Sequence, residues 1–340
     1  MTNPTDPLAV LSTTVRTSFH GFLDVYEPLR GELYRYCRHL TRSPWDAEDL
    51  AQDTLARAFV TLGRMGEAPP NPRAWLFRVA SNLWIDHARR RREVATEETA
   101  VVAAPEPRAP REAMGTLLVR LSPQERAAVV LKDVFEMTLE EIAEALATSV
   151  GAVKAALYRG RAKLVEPEPE PVANAAGVSE SRSPARGVLD AFCAAFNARD
   201  VPAITALLLD HATVEIVGAT TASGPTAMRD GMVNGMMFGT RRLAEAETRG
   251  GIDARFVQGA LPDSPRAEVR LYRDEPVVLL WYAHRDGELV RAVNRFTTDG
   301  DRIAGLQNFF FTPDLVGEVC GELGVPWRSN GYRWWLTGRC

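Results

Sequence analysis

The segment TLEEIAEALATSVGAVKAALYRGRAKL (Thr138–Leu164) decides the fold of the middle of this chain. Thr138 followed by Glu141 is a capping box that starts one helix, and Ser149 caps a second helix after the short turn ATS. The residues that would pack between the two helices are small or apolar: Ile142, Ala143, Leu146, Val153 and Leu157. This pattern predicts a helix-turn-helix.

The second helix of this pair has an unusual surface. Its outward side carries Lys154, Arg159, Arg161 and Lys163. A helix that reads DNA bases usually presents polar side chains, but here the corresponding positions hold alanines: Ala152, Ala155 and Ala156. Helical hairpins of this pattern are also common in all-α proteins, so periodicity alone leaves open both DNA binding and ordinary packing.

Composition limits the classes of protein that this chain can belong to. Its 340 residues leave room for two or three domains, and 46% apolar residues are enough to form buried cores. The net charge of −4, from 40 basic and 44 acidic residues, argues against general polyanion binding, so any nucleic-acid contact requires local basic patches. Four scattered cysteines without a C-x-x-C motif indicate neither a disulfide framework nor a zinc module. We expect a cytoplasmic protein with no signal peptide, membrane span, metal or cofactor.

Two segments rich in Pro, Glu and Ala divide the chain into three blocks. The predicted division is an N-terminal tail at 1–17, a helical block at 18–92, a linker at 93–115, a second helical block at 116–165, a linker at 166–183, a third block at 184–325 and a Trp-rich tail at 326–340. The fold class predicted is multidomain, with two all-α blocks followed by an α+β block.

The first block contains an acidic helical face. Ser43 and Pro44 are typical of a helix start, and Asp46, Asp49 and Asp53 then recur every three or four residues on one side, with Glu48 nearby. Such a face is compatible with simple solvation near a helix N-terminus, and also with docking to a basic protein surface.

The same block ends in the chain's strongest basic run, DHARRRR (Asp86–Arg92). Arginines at a helix end complement the helix dipole, but a cluster of this kind also binds phosphate oxygens. Trp75, Phe77 and Trp84 stand upstream, interleaved with basic residues. They are predicted either to belong to the core or to form stacking platforms for single-stranded nucleic acid.

The third block begins with an amphipathic helix and continues with alternating segments that predict strands. Asp286-Gly287 and Asp299-Gly300 predict hairpin turns between the later strands. The whole pattern indicates a curved sheet wrapped on helices. Its titratable and polar candidates for chemistry are Glu215, Asp253, His284 and Asn294. No spacing singles any of them out, so we predict no catalytic residue.

The two helical blocks, taken in this order, resemble the extracytoplasmic-function group of bacterial RNA polymerase sigma factors, over about the first half of the chain. The stretch DAEDLAQDTLARAF is similar to region 2.2, which in that family binds the β′ clamp helices of core RNA polymerase. The resemblance implies a polymerase-binding set of Asp46, Glu48, Asp49, Gln52 and Asp53.

The stretch NPRAWLFRVASNLWIDHARRRR is similar to regions 2.3 and 2.4, which melt the promoter −10 element in that family. The implied −10 contacts are Arg73, Arg78, Asn82, Trp84, Asp86, Arg89, Arg90, Arg91 and Arg92. The segment around the helix-turn-helix resembles region 4, which reads the −35 element and contacts the β flap of the polymerase. The implied −35 contacts are Ser149, Lys154, Tyr158, Arg159, Arg161 and Lys163.

The sequence departs from the family pattern inside region 4. Ala147 stands where the family usually has a glycine in left-handed conformation, which costs about 1 kcal/mol. Ala152 and Ala156 replace residues that often contact bases. We therefore expect the second helix to contribute mainly phosphate contacts, leaving specificity to DNA shape and to the −10 element.

The third block resembles the SnoaL-like cone fold, which implies regulation of the sigma domains in cis, through a small-molecule ligand or through packing. One alternative is an active isomerase or cyclase in this block; another is a ligand-controlled repressor that acts without polymerase. The C-terminal Trp334 and Trp335 are predicted to pack either on their own domain or on a sigma domain.

Overall fold

A computed structural model of the chain describes residues 7–65, 67–97, 118, 120–165, 186–227, 236–237 and 265–332. The chain divides into two compact units, Met1–Ser179 and Glu180–Cys340. Within the described residues, every helix is too short or too polar to cross a membrane.

The first unit starts with a helical bundle. Its helices are α1 (Pro7–Tyr26), α2 (Arg30–Thr41), α3 (Pro44–Leu62) and α4 (Pro72–Glu97), with a 3-10 turn at Glu27–Leu29. Ser43 caps α3 as predicted, because its hydroxyl accepts a hydrogen bond from the Asp46 backbone N–H at 3.2 Å. The bundle core is aromatic: Tyr36 stacks on Phe77 with ring centroids 4.9 Å apart.

Two helices extend beyond the boundaries predicted from composition. α1 begins at Pro7, inside the segment expected to be a tail, and α4 continues to Glu97, beyond Arg92. Neither extension contains proline or glycine after its first residue, so no residue there interrupts a helix. Composition marked these segments as poor in core residues, and that property does not prevent helix formation.

Three further helices complete the first unit: α5 (Pro123–Asp133), α6 (Leu139–Ala145) and α7 (Val150–Val165). Ser122 with Glu125 and Thr138 with Glu141 form the two capping boxes of α5 and α6. The five residues predicted to pack between α6 and α7 are all buried. Ala147 has a φ of +49°, so the turn adopts the left-handed conformation expected there. The predicted helix-turn-helix is confirmed.

The second unit has the predicted α+β class. Two helices, α8 (Arg186–Asn197) and α9 (Val201–Leu207), precede the sheet, a helical turn occupies Pro225–Ala227, and α10 (Pro313–Leu323) follows the sheet. The strands are β1 (Leu208–Ile216), β2 (Thr220–Ser223), β3 (Arg266–Tyr272), β4 (Glu275–His284), β5 (Gly287–Asp299) and β6 (Arg302–Phe309).

The sheet has the order β2-β1-β6-β5-β4-β3. Neighbouring strands are antiparallel except β1 and β6, which pair in parallel after the chain crosses the sheet. Both predicted hairpins are present, but each turn is offset by one residue from the predicted Asp-Gly pair: the two-residue turns are Arg285–Asp286 and Gly300–Asp301. Gly287 and Gly300 have positive φ. Register shifts in β4–β5 and β5–β6 mark irregularities that bend strands. One core lies between this sheet and the preceding helices, where Phe192 packs edge-on against Phe296 at 4.8 Å.

The described part of the Trp-rich tail packs on its own domain. The Val290 backbone bonds to Pro326 and Arg328, both at 3.0 Å, in a short parallel bridge around Trp327. The Trp327 ring lies so close to Gly317 that a Cβ at that position would come within 2.7 Å of it. Asn330 donates hydrogen bonds from Nδ2 to two backbone carbonyls. Trp334 and Trp335, which are predicted to pack either on their own domain or on a sigma domain, lie outside the described residues.

The left-handed turn leads to a stability prediction. Ala147→Gly should stabilise the first unit by about 1 kcal/mol, because glycine has no Cβ to clash in this conformation. Thermal unfolding of the full-length protein measures the change. The matched control is Ala162→Gly on the exposed surface of α7, which should lower stability by a similar amount. A loss of stability in both variants would contradict the argument.

Candidate functional site

The acidic face of α3 lies at the surface of the first bundle. Asp49 and Asp53 are exposed, while Asp46 and Gln52 are half-buried. Asp49 and Asp53 stand one helical turn apart, so their carboxylates form a compact negative surface. Of the residues predicted to bind polymerase, Asp49 and Asp53 are therefore exposed at the surface, and binding itself stays a prediction.

Glu48 does not belong to that surface. It is 1% exposed, forms an ion pair with Arg30 of α2, and accepts a hydrogen bond from the Gln52 side chain at 2.7 Å. The physical reason is helix geometry: Glu48 is two residues from Asp46, which turns its side chain about 200° around the axis. The placement of Glu48 on the docking surface was therefore wrong; it anchors α3 to α2.

The basic side of α4 is only partly free for a ligand. Arg73 pairs with Glu32 at 2.6 Å and lies over the Phe77 ring at 5.2 Å, so it is engaged within the bundle. Arg78 and Asn82 are exposed. Further along, Asp86 pairs with Arg89 at 3.3 Å.

The arginine run at the end of α4 reaches solvent where it is described. Arg89 and Arg90 are exposed, whereas the side chains of Arg91 and Arg92 lie outside the description. The upstream aromatics separate into two groups. Trp75 and Phe77 are buried, which confirms the core interpretation for them, while Trp84 is half-buried.

Trp84 lies where the two helical blocks of the first unit meet. The Arg126 guanidinium of α5 stands 5.6 Å from the Trp84 ring centroid and donates a hydrogen bond to the Leu40 carbonyl at 2.6 Å. Arg126 is 9% exposed, and burial, followed by the nearby Arg42, lowers its pKa to about 10. The buried Trp84 Nε1 has no hydrogen-bond partner in the part of the chain that the structure describes. The sequence pattern did not predict this contact, because nothing in the sequence of α5 distinguishes Arg126 from an exposed arginine.

An aromatic contact joins the same two blocks. Phe135, just after α5, packs edge-on against Phe77 at 5.3 Å and against Tyr36 at 5.8 Å. The helix-turn-helix block therefore lies directly on the bundle in this structure, and Phe135 and the buried Arg126 take part in this contact.

The helix α7 begins as predicted, with the Ser149 hydroxyl accepting from the Ala152 backbone N–H at 3.2 Å. Its exposed surface carries Lys154 and Tyr158, and Tyr158 is 79% exposed. Ala156 is 7% exposed and packs inward, so it does not occupy a base-reading position. An arginine at this position would therefore have to displace core contacts.

The remaining cations of α7 pair with acids of α5. Glu125 accepts from Arg159 Nε at 3.2 Å and from Lys163 Nζ at 2.7 Å, and Arg161 Nε donates to Asp133 at 3.3 Å. Burial opposes ionisation of Glu125, but hydrogen bonds from Lys163, Ser122 and Arg159 outweigh it and lower its pKa to about 2. Of the four cations predicted to contact phosphates, Arg159, Arg161 and Lys163 therefore have carboxylate partners within the helix-turn-helix block, and the phosphate contacts themselves stay a prediction.

The candidates for chemistry in the second unit are not brought together. His284 is the last residue of β4. Its Nε2 lies 3.2 Å from Nη1 of Arg291, and its Nδ1 lies 3.2 Å from Nη1 of Arg328. Burial and these two guanidinium groups lower the pKa of His284. Asn294 accepts a hydrogen bond from Asn308 at 2.6 Å in the middle of the sheet. Glu215 on β1 accepts a hydrogen bond from Gln307 at 3.2 Å.

Asp253 lies outside the described residues. Among the described residues, no group of three or more His, Cys, Asp or Glu side chains is arranged to hold a metal ion.

Comparison with known proteins identifies both helical blocks. The family pattern Sigma-70 region 2 matches residues 25–94, and Sigma-70, region 4 matches residues 111–164. The extracytoplasmic-function (ECF) RNA polymerase sigma factor SigW of Bacillus subtilis is 30% identical over 165 residues, which cover 42% of this chain and 87% of SigW. The chain belongs to the ECF sigma factor family.

Two mycobacterial sigma factors match a longer part of the chain. SigG of Mycobacterium tuberculosis is 32% identical over 225 residues, or 56% of this chain and 60% of SigG. SigJ of the same organism is 33% identical over 223 residues, or 60% of this chain and 67% of SigJ. The alignment thus spans less than two thirds of SigG. A solved structure of SigJ aligns with 87% of this chain and 98% of its own, at 22% identity and a TM-score of 0.32.

The family assignment places the site residues within sigma regions. The region 2 match contains the acidic face of α3 and the basic end of α4, and the region 4 match contains α5, α6 and most of α7. The contact of Arg126 and Phe135 with the bundle is therefore a contact between region 4 and region 2 of this sigma factor.

The buried Glu48 and the exposed Asp49 and Asp53 lead to different expectations for the stability of their variants. Glu48→Ala should destabilise the protein by about 3 kcal/mol or more, because it leaves the Arg30 charge buried without its carboxylate. Asp49→Ala and Asp53→Ala should change stability by less than about 0.5 kcal/mol, since both side chains are exposed. Chemical denaturation measures the free energy of unfolding of the three variants. Equal effects in all three would refute the assignment of Glu48 to the core.

Proposed function

We propose that this protein is a transcription initiation factor that binds core RNA polymerase and directs it to promoters. One observation supports the proposal most strongly. The residues that match sigma region 2 contain both an exposed acidic surface on α3 and an exposed basic end of α4. One surface suits a basic protein partner and the other suits DNA phosphates. The protein would act in the cytoplasm, together with the polymerase.

The acidic surface is proposed to dock to the β′ clamp helices. Asp46, Asp49, Gln52 and Asp53 are the contact residues, with Glu48 behind them holding the helix in place. Region 4 is proposed to contact the β flap. Charged surfaces of this kind contribute mostly to association rate and to partner choice.

The promoter contacts are proposed for the two basic elements. Arg78, Asn82, Arg89 and Arg90 lie exposed along α4 and would hold the opened −10 element, with Arg91 and Arg92 continuing the run. Lys154 and Tyr158 are exposed side chains of α7 that would meet the −35 element.

The contact between region 4 and region 2 bears on how the protein works. Regions 2 and 4 are proposed to contact two separate promoter elements. In this structure region 4 packs against region 2 through contacts that include Phe135 and Arg126, so the two DNA-binding blocks are held together. We propose that initiation separates the two blocks, and that the second unit regulates this closed-to-open equilibrium in cis.

Regulation by the second unit, rather than catalysis, fits its described side chains best. Glu215, His284 and Asn294 each contact other groups at separate places on the sheet, and no acid–base pair forms among them. A small-molecule ligand remains part of the proposal because the buried Nδ2 of Asn294 has no hydrogen-bond partner among the described residues, which is costly in a core. An isomerase or cyclase activity has no comparable support.

Polymerase docking is tested by charge reversal. Asp49→Lys with Asp53→Lys should abolish or strongly weaken capture of core RNA polymerase, because the negative surface becomes positive. The matched control is Glu140→Lys with Glu144→Lys on α6, where two exposed acids have the same spacing. Normal capture by the α3 double variant, with its helical content unchanged, would reject the proposed docking face.

Regulation in cis is tested by removal of the second unit. A protein ending at Val165 keeps both sigma blocks, and we compare it with the full-length chain in transcription with purified core polymerase. If the second unit biases the closed-to-open equilibrium, promoter-dependent transcript yield should change by several-fold. Identical yields from both proteins, at equal polymerase occupancy, would exclude regulation in cis.

A further inference from the structure

Glu125 is the residue through which α5 and α7 are joined. The side chain is buried and forms the capping box of α5, accepting from the Ser122 backbone N–H at 2.9 Å. The same carboxylate accepts from Arg159 and Lys163 of α7. The helices cross closely here: a Cβ on Gly160 would lie 3.5 Å from that of Glu125.

The two cations that Glu125 holds stay accessible at the surface. The Arg159 side chain is 58% exposed and that of Lys163 is 39% exposed, while the Glu125 side chain is 5% exposed behind them. Their positive charge is therefore partly compensated by a carboxylate on the protein side. By contrast, the exposed Lys154 has no acid within salt-bridge distance among the described residues.

Compensation matters because duplex DNA is bound mainly through charge. Each phosphate that a protein cation neutralises releases counterions and contributes a slope of about −0.9 to the dependence of log K on log salt concentration. A cation already paired with a carboxylate gains less from a phosphate, since the existing bond must be weakened.

We propose that Glu125 is a positioning residue that withholds Arg159 and Lys163 from DNA phosphates and thereby keeps the affinity of region 4 for non-cognate duplex low. This inference rests on the proposed function, in which α7 contacts duplex DNA. A weak electrostatic background has a clear benefit, because promoter selection depends on the ratio of specific to non-specific binding. The carboxylate is ionised at any ordinary pH, so the restraint is permanent.

Glu125→Gln is the discriminating substitution. A capping box accepts glutamine as well as glutamate at this position, so the cap of α5 is retained while the charge is removed. The full-length protein is titrated onto a fluorescently labelled duplex of random sequence, at a series of salt concentrations. The variant should bind more tightly at low salt, and its salt slope should become more negative by about 1 to 2.

Two further variants separate this effect from a general change in charge. Glu140→Gln removes one negative charge from an exposed position on α6 and should leave the slope unchanged. Arg159→Gln with Lys163→Gln, in a protein that keeps Glu125, should also leave the slope nearly unchanged, because these cations are withheld. If that double variant loses as much slope as two phosphate contacts, the proposal is overturned, whatever the folding of Glu125→Gln.

Lys154→Ala distinguishes failure of this inference from failure of the proposed function. It should make the slope less negative by about 0.9, as expected for one lost phosphate contact. If Lys154→Ala has this effect while Glu125→Gln behaves like Glu140→Gln, α7 binds DNA and Glu125 withholds nothing. If Lys154→Ala leaves the slope unchanged, α7 does not contact duplex DNA, and both proposals fall.

Discussion

The ion pair between Arg30 and Glu48 sets the geometry on which the first unit depends. Both side chains are buried, and removing a charge from water costs several kcal/mol unless a partner of opposite sign compensates it. The pair therefore fixes the rotation of α3 against α2. With Glu48 turned inward, Asp49 and Asp53 are turned outward. The buried ion pair of Glu48 therefore determines which acids of α3 form the exposed acidic surface.

The same constraint applies where α5 meets the bundle and α7. Arg126 is buried against Leu40 and Trp84 without a carboxylate among its described hydrogen-bond partners, and it relies on backbone carbonyls and an aromatic ring. The carboxylate of Glu125, its neighbour in the chain, accepts hydrogen bonds from Arg159 and Lys163. Adjacent residues of α5 thus face two different partners: one binds the bundle and the other binds α7.

In the second unit, backbone hydrogen bonds and packing, rather than buried ion pairs, hold the last described segment in place. The bridge at Trp327, its contact with Gly317 and the bonds of Asn330 hold the end of the described chain against β5 and α10. His284 lies beside this segment, between Arg291 and Arg328. A protonated imidazole accepts at neither nitrogen and would face two guanidinium groups, so this arrangement disfavours a positive charge on the ring.

The amino-acid sequence by itself determined the local structure and the family. Capping boxes, the Ala147 turn, the apolar stripes and the two hairpins depend on neighbouring residues, so they were predictable, and all of them are present. The tertiary structure decided which charges remain available at the surface. Glu48 and Ala156 are turned inward, and Arg73, Arg159, Arg161 and Lys163 are paired, because helices distant in sequence supply their partners. Helical periodicity places a side chain on a face, but only the packed neighbours determine whether that face meets solvent or another charge.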